Sequence, residues 1–157
     1  MSNLTFGERH IVKGLDAVAD AFSGTVYSDV VNAEAYHAVR FIVHKGVGAT
    51  GTSTLTIEAC DNAAGDNPEA VPFYYQKYDN SDDVPDDVQA ATTSGFATVA
   101  GSSQLYVLEV ESQRFPAAKP WVRLKAVEVV DSPVLGGILI EMLKPRYARQ
   151  VPDTVIA

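Results

Sequence analysis

The three histidines, His10, His37 and His44, are the residues of this chain best suited to acid–base catalysis or metal binding. His37 and His44 are seven residues apart in one β-rich stretch, so an extended strand places them on opposite faces. This spacing argues against a histidine triad or a zinc site, because both need convergent side chains. The sequence also lacks the nucleophile-elbow, phosphate-loop and HExxH motifs. We therefore expect a protein that is not an enzyme and has no cofactor and no resident metal.

Residues 79–87 (DNSDDVPDD) form the most acidic stretch of the chain. Its five aspartates could surround a Ca²⁺ ion with carboxylate oxygens, which a hard cation prefers; they are Asp79, Asp82, Asp83, Asp86 and Asp87. The stretch lacks the glycine and the terminal glutamate of an EF-hand, and Pro85 interrupts it. We favour a solvated loop or a complement to a basic patch on a partner, since such dense like charges repel unless they are paired.

An aromatic strand is predicted over residues 71–78 (VPFYYQKY). Tyr74 and Tyr78 share one side of it and could form a stacking platform for a sugar. The alternative, which we favour, is that Phe73 and Tyr75 fill the core while Tyr74 and Tyr78 cover an edge or an oligomer contact.

Length and composition restrict the class of protein. The 157 residues correspond to about one domain, and 46% hydrophobic with 20% charged residues is globular composition. The formal net charge of −8 argues against nucleic acid or an anionic membrane as the main partner, because both attract clustered Lys and Arg. No apolar run approaches the length of a membrane helix, and the N-terminus lacks signal-peptide features, so we expect synthesis in the cytosol.

Most of the chain reads as β-strands separated by polar loops. Alternating apolar and polar residues predict strands over residues 25–31, 36–45, 54–60, 71–78 and 104–111. Val39, Phe41 and Val43 are expected inside, and Arg40 and His44 outside. The stretches 36–45 and 54–60 resemble a hairpin with a long glycine-rich loop.

The clearest pair of strands lies within residues 121–143, around an Asp-Ser-Pro break at 131–133. In the first strand, Val122, Leu124 and Ala126 should face the core. In the second strand, over residues 135–143, the side chains of both faces are apolar and only Glu141 is charged. This pattern indicates a central or interface position. We expect these two strands to form a hairpin.

Three segments follow from these patterns. Residues 1–23 are expected to be an N-terminal arm with a short helix, because Leu15, Val18, Ala19 and Phe22 have helical spacing. Residues 24–144 should form an all-β domain, a β-sandwich that is jelly-roll-like. Residues 145–157 contain two prolines and should form an extended C-terminal arm.

Three stretches carry a resemblance to a known family: GLDAVADAFSGTVYSDVVN, HKGVGATGTSTLTIEACDNA and WVRLKAVEVVDSPVLGGILIEMLKPRYA. Together they resemble the capsid decoration or cement proteins of tailed bacteriophages, over roughly residues 10–147. The resemblance implies a β-sandwich on the outside of the virion that bridges major capsid proteins. The acidic loop and the residues beyond Tyr147 lie outside it.

These observations predict a virion protein that self-associates as a dimer or trimer and clamps neighbouring capsid subunits. The residues expected to contact partners lie in the two arms: Phe6, His10, Ile11, Arg146, Tyr147, Arg149 and Val155. Two alternatives remain, a carbohydrate-binding adhesin that uses Tyr74 and Tyr78, and a minor neck or tail protein.

Overall fold

The computed structural model describes residues 8–47, 50–79 and 83–147. Phe6, Asp82, Arg149 and Val155 lie outside these ranges. Within them the chain forms twelve strands and one short 3₁₀ helix, Ser112–Arg114. The strands are β1 Arg9–Val18, β2 Thr25–Tyr27, β3 Val31–Asn32, β4 Tyr36–Lys45, β5 Thr52–Cys60, β6 Glu69–Val71, β7 Phe73–Tyr78, β8 Gln89–Ala91, β9 Phe96–Ala97, β10 Gln104–Glu111, β11 Trp121–Val130 and β12 Gly136–Pro145.

The strands make two antiparallel sheets that pack face to face. Sheet A has the order β1-β12-β4-β10-β7-β8. Sheet B has the order β2-β11-β5-β6, with β3 also on β11 and β9 also on β5. The prediction of an all-β sandwich is confirmed.

The strand order is that of a jelly roll. The main strands pair in a nested way, with β1 on β12, β2 on β11, β4 on β10 and β5 on β6. The first and third pairs lie in sheet A and the others in sheet B, so a two-stranded ribbon rolls back and forth between the sheets. Strands β7 and β8 extend sheet A beyond β10.

The hairpin predicted from residues 121–143 is wrong. Strand β11 pairs with β2, β3 and β5 in sheet B, whereas β12 pairs with β1 and β4 in sheet A. Residues 131–135 cross between the sheets, a gap of about 10 Å that a few extended residues can span. The predicted hairpin of β4 and β5 is wrong for the same reason, because these strands also lie in different sheets. Alternation shows which side chains face the core, but not which strand lies alongside.

The helix predicted within residues 14–22 is also wrong. Residues 9–18 form edge strand β1, and residues 19–22 form turns. The helical spacing does not correspond to one buried face, because Phe22 is buried and Leu15 partly buried whereas Val18 is 48% exposed and Ala19 is exposed. The strand also has irregularities between Lys13 and Leu15 and between Leu15 and Val18. Gly14 permits close packing, since a Cβ there would lie 2.8 Å from Ile140 Cγ1. Of the predicted N-terminal arm, residues 9–18 therefore belong to the sandwich.

The core lies between the inner faces of the sheets. Val39, Phe41 and Val43 are buried as predicted, and so are Val122, Leu124 and Ala126 across from them in sheet B. The largest fully buried apolar side chains are Tyr36, Phe41, Leu55, Ile57, Phe73, Tyr106, Leu108, Leu124, Ile138, Ile140 and Met142. The apolar side chains that alternate along each strand thus form a single core layer between the two sheets.

A buried lysine closes one end of this core. Lys45 is 2% exposed, and its Nζ donates to the backbone oxygens of Gly51 at 3.0 Å and Val99 at 2.9 Å. Gln104 Oε1 lies 3.5 Å away. Burial lowers the pKa of the Lys45 ammonium group, because desolvation disfavours the charged form.

We predict that the stability advantage of the wild-type protein over a Lys45→Met variant increases as the pH rises towards 10.5. The folded-state pKa of Lys45 is depressed, so in the window between that pKa and 10.5 the unfolded chain binds more protons. The increase is at most about 1.4 kcal/mol per pH unit. Chemical denaturation of both proteins across this range measures it.

A Lys13→Met variant serves as the control. Lys13 is exposed, and Asp16 raises its pKa through a side-chain hydrogen bond and Coulomb attraction. Its contribution therefore changes only above pH 10.5. A pH-independent difference for Lys45→Met would contradict the prediction.

Candidate docking face

The outer face of sheet A, the face that points away from sheet B, carries side chains in register across five strands. One row places Ile11, Glu141, Arg40, Glu109 and Tyr74 side by side. The next row consists of Lys13, Leu139, Ile42, Val107 and Gln76. Strand β4 is the middle strand of these five, and pairing with β12 and β10 fixes the position of each row.

Apolar side chains occupy much of this outer face. Ile11 is 59% exposed, Leu139 46% and Tyr74 42%, and Ile42 and Val107 are partly exposed between them. Leu139, Ile42 and Val107 are neighbours in the second row, whereas Ile11 and Tyr74 lie at opposite ends of the first row with three charged residues between them.

The outer face of sheet B is different in character. Its two longest strands place Thr54 and Thr56 beside Val127 and Lys125, and Glu58 beside Arg123. Glu58 accepts hydrogen bonds from Arg123, and the Arg123 guanidinium lies 4.1 Å from the centroid of the Tyr27 ring. Its polar groups are thus paired within the chain, which suits a face in contact with water.

An ion network crosses the centre of the outer face of sheet A. Glu141 is only 5% exposed, and its carboxylate lies 3.0 Å from Arg9 Nη1 and 3.3 Å from Arg40 Nη1. Arg40 also donates to Glu109 Oε2, from Nη2 at 2.7 Å and from Nε at 3.1 Å. The two arginines balance the two carboxylates, so the network presents little net charge.

This network was not predicted as a site from the sequence. The available signals were Glu141, the lone charge in the apolar run of residues 135–143, and Arg40, predicted on the polar face of its strand. Neither signal indicates that the two residues are neighbours, because that depends on the pairing of β12 with β4.

Two grooves flank the network. One has a volume of 380 Å³ and is lined by Tyr74, Gln76, Tyr78, Val107 and Glu109, among others. The other has a volume of 460 Å³, and most of its lining is apolar, including Leu15, Leu135 and Leu139. Ile42 contributes to both grooves, so they lie on either side of β4.

The inner side of the aromatic strand β7 is filled as we favoured, and the part that Tyr74 and Tyr78 play at an edge or an oligomer contact stays a prediction. Phe73 is buried, and Tyr75 stacks on Phe96 with 3.6 Å between ring centroids. Tyr74 and Tyr78 share the outer face. Arg114 lies over Tyr74, with its Cζ 4.9 Å from the ring centroid, and donates to the Tyr74 hydroxyl.

The residues predicted to contact partners are spread over one end of sheet A. Ile11 points outward, whereas His10 lies opposite Met142 on the inner side and is partly exposed. The Arg146 backbone donates to Ala35 O at 2.8 Å, and Tyr147 is 68% exposed. The other three, Phe6, Arg149 and Val155, lie outside the described residues.

The two ends of the described chain meet at this place. The backbone N–H of Lys144 donates to Glu8 O at 3.1 Å. Glu8 and the end of β12 therefore lie together at one corner of sheet A.

The acidic loop shows no metal cage in its described part. Asp79 and Asp86 both face Lys77, at 3.1 and 3.9 Å from its Nζ, and Asp83 and Asp87 are exposed. Across residues 8–47, 50–79 and 83–147, no three His, Cys, Asp or Glu side chains are placed to hold a metal ion. The same residues contain no helix long and apolar enough to span a membrane.

Comparison with known proteins gives structural neighbours only. No protein-family model matches the chain, and no curated protein matches it. The SPBc2 prophage-derived protein YomS is 8% identical with a TM-score of 0.45, and the match covers 92% of this chain and 100% of that one.

Structures of infectious bursal disease virus also match. The Gx strain structure is 13% identical with a TM-score of 0.25, and the derived T=1 particle is 13% identical with a TM-score of 0.26. Each match covers 87% of this chain but only 42% and 40% of the viral chains, so this chain spans less than half their length. The strand order defines an all-β jelly-roll protein, in which the outer face of sheet A carries exposed apolar side chains around an ion network.

We predict that Glu141→Gln lowers the free energy of unfolding by about 1–3 kcal/mol, because a buried carboxylate accepts hydrogen bonds from two arginines. Glu109→Gln is the matched control. The Glu109 side chain is 42% exposed and pairs with the same Arg40, so we expect a loss below about 1 kcal/mol. Urea denaturation measures the free energy of unfolding of both variants. Equal decreases would show that the burial of Glu141 does not strengthen its ion pairs with Arg9 and Arg40.

Proposed function

We propose that this chain is a structural protein of a bacteriophage virion, a decoration or cement protein that binds the outside of the capsid. In this role it bridges neighbouring major capsid protein subunits after the shell expands. Support comes from the resemblance of three long stretches of the sequence to such proteins, and from a jelly-roll domain with an unpartnered apolar face.

The observation that carries the proposal is the common corner of the two chain ends. The backbone N–H of Lys144 donates to Glu8 O, so Glu8, the first described residue, lies beside the end of β12. Contacts from residues at this corner can hold one neighbouring subunit while the sandwich rests on another.

Two effects would stabilise the shell: the large number of bound copies, and the preference of the protein for the expanded shell over its precursor. Many copies that each make modest contacts oppose rupture of the shell together, since linked weak contacts multiply in strength. A protein that binds the expanded shell and not its precursor stabilises the expanded form by mass action. Neither effect requires a catalytic group.

We predict that deletion of residues 148–157 lowers the occupancy of the protein on purified phage heads by at least about tenfold, because it removes one of the two contacts. Quantitative gel analysis of heads incubated with purified protein measures the loss. An unchanged melting temperature of the deletion variant shows that the sandwich itself is intact. Full occupancy by the folded variant would show that this segment does not anchor the subunit.

Cryo-electron microscopy of phage particles tests the placement directly. The proposal requires many symmetric copies between capsid subunits on the outer surface. A handful of copies at one vertex would instead support a neck or tail protein, and absence from the particle would exclude the virion role.

The groove beside Tyr74 and Tyr78 favours a second candidate, a carbohydrate-binding adhesin. Tyrosine rings next to Gln76, Arg40 and Glu109 combine stacking surfaces with hydrogen-bonding groups, as sugar sites do. Glycan-array binding that Tyr78→Ala removes would support this candidate, and an empty array would count against it.

A further inference from the structure

We propose that the side chains of Lys45 and Gln104 become joined by an isopeptide bond, which forms without another enzyme and links β4 to β10. The two residues lie directly opposite one another in the register of these strands. Both are buried, with Lys45 2% exposed and Gln104 5% exposed. This modification goes beyond the proposed function and does not depend on it, because the reaction needs neither a capsid nor a second copy of the chain.

The reaction exchanges the primary amide of Gln104 for a secondary amide. The neutral Lys45 amine attacks Gln104 Cδ with its lone pair, and a bond from Nζ to Cδ forms while the bond from Cδ to Nε2 breaks. One proton passes from Nζ to Nε2, which leaves as ammonia. If Lys45 starts as an ammonium group, its extra proton leaves with the ammonia as an ammonium ion. No oxidant or reductant is needed, because no atom changes its oxidation state.

Three polar contacts position the Lys45 amine. Its Nζ donates to Gly51 O at 3.0 Å and to Val99 O at 2.9 Å, and Gln104 Oε1 lies 3.5 Å away. A neutral amine has two N–H groups. When these two donate to Gly51 and Val99, the lone pair takes the remaining direction, which faces the Gln104 carboxamide. The fold thus holds the nucleophile beside its target, which lowers the entropic part of the barrier.

The surroundings of Lys45 favour its neutral form. In the described part of the chain its polar partners are backbone carbonyls and a side-chain amide, none of which is charged. The space next to it is lined mainly by apolar side chains, namely Phe22, Val43, Leu55 and Val134. Burial lowers the pKa of Lys45 by desolvation. A buried ammonium group without a carboxylate is costly, and conversion to a neutral amide removes that cost.

Tyr106 supplies the acid that the carboxamide needs. Its hydroxyl donates to Gln104 Oε1 at 3.0 Å and accepts the backbone N–H of Val99 at 3.0 Å. A donor at Oε1 stabilises the negative charge that develops there when the amine attacks. Burial raises the pKa of Tyr106, and the carboxylates of Asp79 and Asp86 act in the same direction, although the Val99 N–H opposes them. Tyr106 therefore keeps its proton at a pH where the Lys45 amine has lost one.

The bond would close a covalent loop from residue 45 to residue 104 across β4 and β10, the two central strands of sheet A. A cross-link of this kind restricts the unfolded chain and stabilises the fold. Lys45 cannot titrate once it is linked. The pH-dependent stability difference predicted above for Lys45→Met therefore applies to unlinked molecules, and the mass of a sample distinguishes the two forms.

Mass spectrometry of the denatured wild-type protein, after incubation at several pH values between 7 and 10, tests the inference. A linked chain should be lighter than its sequence by one ammonia molecule, and its digest should contain a branched peptide that joins Lys45 to Gln104. Succinimide formation at an asparagine changes the mass equally, so the branched peptide is the decisive observation. Lys45→Met and Gln104→Met should keep the full mass. Lys13→Met is the matched control and should still lose ammonia, because Lys13 is exposed.

The rate of bond formation tests the roles of the two titrating groups. In the wild-type protein the rate should rise with pH as the Lys45 amine becomes neutral, for as long as Tyr106 stays protonated. Tyr106→Phe keeps the buried ring and should lower the rate about 100-fold, because it removes the donor to Oε1. Circular dichroism checks that this variant folds. Linkage at the wild-type rate in folded Tyr106→Phe would overturn the role of Tyr106 as the acid.

A wild-type chain that keeps its full mass after prolonged incubation at every pH would overturn the inference. Loss of ammonia without a peptide that joins Lys45 to Gln104 would overturn it equally. These outcomes differ from failure of the proposed function, which shows as unchanged occupancy in the deletion experiment or as absence from particles.

Discussion

The packing of two sheets through one face each is the interaction on which the rest of this structure depends. Large apolar side chains from β4, β10 and β12 meet those of β5 and β11, and they are almost entirely removed from water. Burial of a large aliphatic or aromatic side chain contributes about 1.5–3 kcal/mol, so this layer provides the main favourable free energy of the fold. The nested strand pairing is the path by which one chain forms both sheets and supplies both faces.

One consequence concerns the faces that the core does not use. In sheet B the outer face is occupied by threonines and by the Glu58, Arg123 and Lys125 cluster, in which the charges are paired within the chain. In sheet A the outer face has Ile11, Leu139 and Tyr74 exposed around an internally neutral ion network. The two outer faces thus differ in the side chains that surround their paired charges.

The second consequence concerns the chain ends. Because β1 and β12 are the outermost pair of the rolled ribbon, the first and last described residues are brought to one corner. The nested pairing therefore explains why the first described residue lies beside the end of β12.

Much of the local structure could be predicted from the sequence alone. Alternation identified β4 and β10 with their observed bounds, placed Val39, Phe41 and Val43 inside, and put Tyr74 and Tyr78 on one outer side. These features depend on neighbours in the chain, because side chains of a strand alternate whatever lies beside it. The strand at residues 9–18 was missed because Leu15, Val18, Ala19 and Phe22 have helical spacing, although Val18 and Ala19 are exposed in the fold.

Partner strands and surface networks were decided only by the tertiary structure. The short connection between β11 and β12 indicated a hairpin. Their apolar faces can be buried equally well when the two strands lie in opposite sheets, and the nested pairing produces that arrangement. The contact of Glu141 with Arg9 and Arg40 likewise joins residues 132 and 101 positions apart. The sequence determined which side of each strand is apolar, because that is a property of successive residues. Only the fold decided which apolar sides face one another, because that depends on contacts between residues far apart in the chain.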